Sequence, residues 1–263
     1  MEGQSILRTE GLTKKFDGLT AVDQVDFKIG PGEKVGIIGP NGAGKTTFFN
    51  LLTGLFLPSS GRIFHFHSRE EEITHVPPHH RVERGIIRTF QLVSVFNSLS
   101  VLDNLVLANV RFTEDYRSKG RFFFRDTHTP EIAERCLKAL AVMGLEKKSV
   151  VRTQELSYGD KRKLEIAIAL SLTPRILLLD EPFAGLSDAE IEELLHLIRK
   201  ISGEFALVII EHKISRMVGL VDRLNVMHEG RMIAEGVPEE VLKDATVREV
   251  YWGKEEVLQC SLS

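Results

Sequence analysis

The chain has 263 residues, long enough for one large α/β domain with a subdomain and a sizeable core. Hydrophobic residues make up 43% and charged residues 27%, a globular composition, and a net charge of −3 argues against the basic stripe that broad nucleic-acid binding requires, so no nucleic-acid partner is expected. The longest apolar runs, Ile176–Leu179 and Phe205–Ile210, fall far short of the roughly 20 residues of a membrane helix, so any membrane span is expected on other chains.

Met1 to Glu10 show neither the basic nor the apolar stretch of a secretory signal. Ile6–Thr9 and Val25–Ile29 are short strand-like runs, and Gly30-Pro31-Gly32 is a turn. Lys34–Ile38 reads as a third strand, running into a glycine-rich turn and a helix, Lys45–Thr53, which Gly54 can cap. Gly61–Phe66 reads as a further strand. From about residue 97 the apolar period becomes helical. Ser100 is a candidate N-cap for Val101–Val110. Pro130 opens Glu131–Met143, with Ile132, Cys136, Leu137 and Leu140 on one face, and Gly159–Leu172 is another helix. Strand character returns at Ile176–Leu179. Ser187-Asp188-Ala189-Glu190 is a capping box, opening a helix that turns Ile191, Leu194, Leu195, Ile198 and Ile201 inward. Phe205–Ile210 is a buried strand, Arg223–Met227 and Arg231–Ala234 form a hairpin about His228-Glu229-Gly230, and two short helices follow. Strands alternating with helices predict a mostly parallel sheet. Cys136, in a helical pattern, and Cys260, near the end, are read as free thiols of a reducing compartment.

Gly39-Pro40-Asn41-Gly42-Ala43-Gly44-Lys45-Thr46 fits G-x-x-x-x-G-K-[ST], with a strand before it and a helix after it. The glycines let backbone N–H groups curl around phosphates, and the helix N-terminus favours anions. Lys45 is expected to reach the β- and γ-phosphates of ATP, and the Thr46 hydroxyl to ligate Mg²⁺. In Ile176-Leu177-Leu178-Leu179-Asp180-Glu181, two carboxylates emerge at the C-terminal end of a buried strand, where α/β sheets bind ligands. Asp180 is expected to hold Mg²⁺ through water and Glu181 to polarise the attacking water.

Leu156-Ser157-Tyr158-Gly159-Asp160, shortly before the acidic strand, resembles the Leu-Ser-Gly-Gly-Gln signature of ABC transporter ATP-binding subunits, with Tyr158 and Asp160 as departures. Ser157 is also a candidate helix N-cap, a role compatible with anion binding. Gln91 matches that family's Q-loop glutamine, His212 its switch histidine, and Phe16 the aromatic residue that stacks on adenine. The resemblance also places Val22 and Thr47 at the nucleotide and adds Gln91 to the Mg²⁺ ligands. It spans nearly the whole chain and implies a P-loop α/β core with an N-terminal antiparallel β part and an inserted helical subdomain. The expected division is residues 1–92 and 159–236 as the core, 93–158 as the helical subdomain and 237–263 as a helical tail. In ABC proteins two such domains pair head to tail, so the signature of one closes over the ATP of the other. The implied partners are a second ATPase subunit, two permease subunits at the cytoplasmic face of the inner membrane and, indirectly, an extracytoplasmic solute-binding protein.

Arg88-Thr89-Phe90-Gln91, Leu164-Glu165-Ile166-Ala167, Ala184-Gly185-Leu186 and the ending Val247 to Gly253 are similar to the branched-chain amino-acid importer ATPases. Urea importers and the lipopolysaccharide-export ATPase share parts of this pattern, while the stretch Arg111–Thr129 favours the amino-acid importers over the exporter. A soluble ABC ATPase usually carries two ATPase domains or a long coiled coil, and a P-loop kinase has no use for the signature. The D-loop aspartate position is Ser187, followed by Asp188, and either can serve. His65, His67, His75, His79 and His80 are read as an exposed strand and loop rather than a zinc site, because no Cys or carboxylate spacing completes one. The basic and aromatic Arg111–Arg125 stretch is read equally as a membrane-proximal contact or a folded surface insertion. Val93, Val95, Phe96 and Leu99 are expected to serve a permease helix or the subdomain's own core.

Overall fold

The computed structural model describes residues 5–89, 95–110, 130–201, 203–212 and 216–251. Gln91, Val93 and the Arg111–Arg125 stretch therefore lie outside the described residues, as does Cys260. Two sheets form. In the first, β1 (Leu7–Phe16) pairs antiparallel with β2 (Leu19–Ile29) and with β4 (Ser60–Phe66), and β5 (Glu70–Glu72) extends β4. Val25, Phe27 and Ile29 point inward while Gln24, Asp26 and Lys28 face solvent, the period of two that one buried sheet face imposes. β1 runs well past Thr9. Gly11, at φ 54°, sits within a register shift between Thr9 and Leu12, and this bulge interrupts the alternation by which the strand is recognised in sequence.

The second sheet has the order β10-β9-β3-β8-β7-β6, formed by β3 (Lys34–Ile38), β6 (Ile86–Arg88), β7 (Ile176–Asp180), β8 (Ala206–Ile210), β9 (Arg223–His228) and β10 (Arg231–Gly236). β9, β3, β8 and β7 run parallel, and β10 closes an antiparallel hairpin with β9. β7 and β8 are buried at every residue, as parallel strands covered on both faces are. Helix α1 (Lys45–Leu52) buries Phe48, Phe49, Leu51 and Leu52 in one core with Val35, Ile37, Leu178, Val208, Ile210, Leu12, Val25 and Phe27. This core is the ground on which the β3–α1 turn stands.

The described chain divides into two compact units, residues 1–86, 175–182 and 202–263, and residues 87–174 and 183–201. The first holds both the N-terminal sheet and the central strands, with the short helices α2 (Pro78–Glu83) and α7 (Pro238–Val241). The second is helical, with α3 (Val101–Val110), α4 (Pro130–Val142), α5 (Tyr158–Ser171) and α6 (Asp188–Ile201); it is thus broader than 93–158. The Ser100 hydroxyl accepts from the N–H of Asp103 at 3.0 Å, capping α3. In α4, Ile132, Cys136, Ala139 and Leu140 are buried but Leu137 is exposed, because one residue turns a side chain about 100° from its neighbour's face. Burial in this unit raises the Cys136 thiol to about 11, so it packs as a small apolar group. No helix among the described residues is long and apolar enough to cross a membrane.

Candidate functional site

At the end of β3 the chain turns through Gly39 and re-enters helix at Lys45. A Cβ on Gly39 would lie 2.1 Å from the carbonyl oxygen of Met227, and one on Gly44 2.2 Å from that of Ala21. Both contacts are with backbone, so only glycine fits. Gly44 also adopts φ 101°, outside the range of other residues. The turn is tied to the β9–β10 hairpin by the Gly230 N–H, which donates to the Ala43 carbonyl at 3.0 Å. Helix α1 has no side-chain cap at its N-terminus and no acidic residue in its first turn. Its leading N–H groups and the positive end of its dipole are left for an anion, and Asn41, Gly42 and Thr46 are exposed beside them.

Lys45 is buried, and its ammonium donates to the carbonyls of Gly39 at 2.7 Å and Pro40 at 2.9 Å. Burial lowers its pKa, opposed by the carboxylates of Glu181 and Asp180. Asp180 closes β7 and is buried; Glu181 follows in the left-handed region at φ 48°, a conformation that costs a residue with a Cβ about 1–2 kcal/mol. Its N–H is held by the Ile210 carbonyl at 3.0 Å. That backbone geometry aims its carboxylate at His212, whose Nε2 is 2.5 Å from Oε1. Glu181, only 12% exposed at its side chain, and His212 thus meet at the ends of neighbouring parallel strands.

Phe16 is 39% exposed, meets Phe56 edge-on at 5.5 Å between ring centroids, and has the Lys14 ammonium 5.0 Å from its ring centre. Val22 lies wholly inside the core, with no exposed surface to offer a nucleotide. Thr47 is half-buried. The structure therefore groups the β3–α1 turn, Lys45, Asp180, Glu181 and His212 in one unit.

The pentapeptide Leu156 to Asp160 belongs to the helical unit. Leu156 is buried, and the Ser157 hydroxyl accepts from the Asp160 N–H at 3.1 Å, so Ser157 is the N-cap of α5. The Tyr158 ring lies against Gly185, where a Cβ would be 3.0 Å from Cε1, and Gly159 lies beneath the Glu190 carboxylate. Burial pushes the Asp160 carboxyl up, but the Lys148 and Lys163 ammoniums outweigh this and hold it below the usual range. The Asp160 side chain is thus turned toward its own unit. Ser187 caps α6: its N–H donates to Glu190 Oε2 at 2.9 Å and its hydroxyl at 2.7 Å, which holds the Glu190 carboxyl below its usual pKa. Asp188, next along, is exposed.

Of the five histidines, His65 is buried on β4, contrary to an exposed reading, because strand alternation turns it inward between Phe64 and Phe66. Burial, with Arg175 and Arg84 adding to it, lowers its pKa to about 4. Among the described residues no three His, Cys, Asp or Glu side chains come together as metal ligands. Sequence reading passes over Ala21, Met227 and Arg81. The first two shape the turn through backbone oxygens, which no residue type announces; Arg81 is one of several basic residues in a polar stretch until its burial is seen.

A family model described as ABC transporter matches residues 22–184, from β2 through the acidic strand end. The chain belongs to the ABC transporter ATP-binding family. Over 260 residues it is 35% identical to the high-affinity branched-chain amino acid transport ATP-binding protein LivG of Escherichia coli, covering 95% of this chain and 99% of that protein. The lipopolysaccharide export system ATP-binding protein LptB of Acidithiobacillus ferridurans is 33% identical over 251 residues, covering 94% and 97%. A crystal structure of an ATP-binding cassette of an ABC transporter in its ADP conformation superposes with a TM-score of 0.84 at 30% identity, over 95% of this chain and all of that one. As an ABC protein the chain carries the family's cassette fold.

Proposed function

We propose that this ABC protein is the ATPase subunit of an importer for branched-chain or similar amino acids, working as one of a pair at the cytoplasmic face of the membrane. The observation that carries the ATPase reading is the convergence of Lys45 with the Glu181–His212 pair beside an uncapped helix N-terminus. On binding ATP, Lys45 exchanges its contacts with the turn's own carbonyls for the β- and γ-phosphates, while the α1 N–H groups receive phosphate oxygens. Phe16 offers its exposed face to adenine. Thr46, Asp180 and Gln91 supply hydroxyl, carboxylate and amide oxygens, hard donors that suit Mg²⁺. That ion neutralises charge on the phosphates when bound. Glu181 accepts the proton of the attacking water, and His212 holds the Glu181 carboxylate in line and reaches toward the γ-phosphate. Ser157 and Gly159, at the N-terminus of α5, form an anion-binding end for the ATP of a partner subunit.

Similarity to LivG over nearly the full length supports import, with two permease subunits and an extracytoplasmic solute-binding protein as partners. Similarity to LptB supports export of a lipid as the second reading. The subunit reconstituted with the permeases it copurifies with separates them: import predicts ATP-dependent accumulation of labelled leucine or a related amino acid in the presence of a binding protein. Extraction of lipopolysaccharide without such accumulation would replace the import reading.

Head-to-tail pairing has its own test. Ser157→Arg places a bulky cation where the partner's γ-phosphate docks, so the monomer is expected to bind ATP normally while closure and hydrolysis are lost. Mixed with Glu181→Gln, it gives a heterodimer with both defects at one site and none at the other. Site-resolved nucleotide trapping that instead finds one defect at each site would mean that Ser157 serves its own chain's nucleotide.

For permease docking the candidate is the loop before α3. The buried Asn104 amide clamps its backbone, accepting from the Phe96 N–H at 2.8 Å and donating to the Phe96 carbonyl at 3.1 Å, while the Phe96 ring stands 60% exposed. A fixed loop that displays an aromatic ring favours a partner contact over a core role. Phe96→Asp is expected to keep its melting temperature within about 2 °C, since exposed substitutions change stability little, and to keep basal ATPase activity while losing permease binding. Joint loss of stability and activity would assign Phe96 to the core.

A further inference from the structure

Arg81, in α2, has no exposed surface, and no carboxylate acts on it among the described residues. Its guanidinium is satisfied by backbone carbonyls alone. Nη1 donates to Leu51 and Leu52, both at 2.8 Å, Nη2 to Ile73 at 2.7 Å and Thr74 at 2.9 Å, and Nε to Val76 at 2.8 Å. All five guanidinium N–H groups are thereby used. Burial, with Arg84 adding to it, lowers the pKa to about 10, so the group is still a cation at neutral pH.

Leu51 and Leu52 are the last residues of α1, the helix whose N-terminus faces the candidate phosphates. This helix has only two turns, no side-chain cap at its start and no basic residue in its last turn. The cation that complements its negative end comes instead from α2 and sits one helix length, about 12 Å, from the anion-binding end. The same group grips residues 73–76, so the far end of α1 is fixed to the segment that leads into α2. Gly54, at φ 77°, leaves room for this: a Cβ there would lie 2.8 Å from Nε of Arg81.

We propose that Arg81 is a positioning residue for nucleotide binding, holding the phosphate-binding helix from its C-terminal end and tying it to residues 73–84. This rests on reading the β3–α1 turn as the ATP site. Lysine keeps the charge but, as a point donor on a flexible stem, cannot meet five carbonyls at once. ADP binding is measured by calorimetry at least 15 °C below each variant's melting temperature. The expected result is a Kd raised about tenfold in Arg81→Lys and further in Arg81→Met, with kcat at saturating ATP within about threefold, because neither Glu181 nor His212 touches Arg81. A merely structural Arg81 would lower the melting temperature and leave the Kd of the folded variant unchanged, and a shift below twofold overturns the proposal. If neither variant folds, hydrogen exchange of the wild type with and without ADP decides. ADP is expected to slow exchange in residues 73–84 as well as in α1, and protection confined to the turn and the start of α1 overturns the role of Arg81. A wild type that binds no ADP overturns the nucleotide site itself, and the proposal with it.

Discussion

Glu181→Gln is expected to lower steady-state ATP turnover by at least about a hundredfold, the lower range of general-base contributions, while ATP affinity stays within about threefold. The amide keeps the shape of the carboxylate and can still meet His212 Nε2, which lies 2.5 Å from Oε1. It has no basic oxygen to accept a proton from water. Affinity is expected to be spared because Lys45 and the N–H groups of α1, the proposed phosphate ligands, are left in place by the substitution. In a paired machine the variant is further expected to accumulate as an ATP-bound dimer, visible by size-exclusion chromatography with ATP and absent with ADP. Turnover within threefold of the wild type would remove Glu181 from the reaction and leave its contact with His212 a structural one.

Lys45→Ala is expected to fail earlier, at binding. Truncating one partner of a buried, hydrogen-bonded charge pair costs about 2–5 kcal/mol, a loss of roughly 30-fold or more in affinity. The cost arises because the phosphate charge is left without the cation that offsets it inside a protected turn. ADP and ATP affinities are both expected to fall, with the larger loss for ATP, whose γ-phosphate the ammonium also reaches. The folded state is expected to be little changed or somewhat steadier, since the burial of the Lys45 cation outweighs the attraction of Glu181 and Asp180 and lowers its pKa, and its hydrogen bonds go to the carbonyls of Gly39 and Pro40. Calorimetric titration of both nucleotides, with thermal melting as the control, separates these effects. Equal affinities in mutant and wild type would withdraw Lys45 from the phosphates.

The two expectations differ because the residues sit differently. Lys45 opens α1, and its role can be read from neighbours in sequence, since a strand, a glycine turn and a helix start at fixed spacing already place an ammonium beside an anion site. Glu181 depends on its φ of 48° and on His212, thirty-one positions later in the chain. Their meeting requires β7 and β8 to lie side by side in parallel, with Asp180 level with Ile210.

Local order thus determined a good deal from sequence alone. β3, α3 and the caps Ser100, Ser157 and Ser187 are legible because apolar period, N-cap chemistry and glycine placement act within a few residues. The motifs of the turn and the acidic strand end are legible for the same reason. What only the tertiary structure decided involves groups brought together across the chain. The Met227 and Ala21 carbonyls make Gly39 and Gly44 obligatory, but a carbonyl belongs to every residue type and leaves no mark in the sequence. The bulge at Gly11 lengthens β1 where alternation breaks. His65 looks like one of several exposed histidines until the sheet turns it inward. Arg81 reads as a surface cation because arginine is almost never fully buried unless paired, and its pairing is with carbonyls from two separate stretches of backbone, residues 51–52 and 73–76, that only the folded chain assembles.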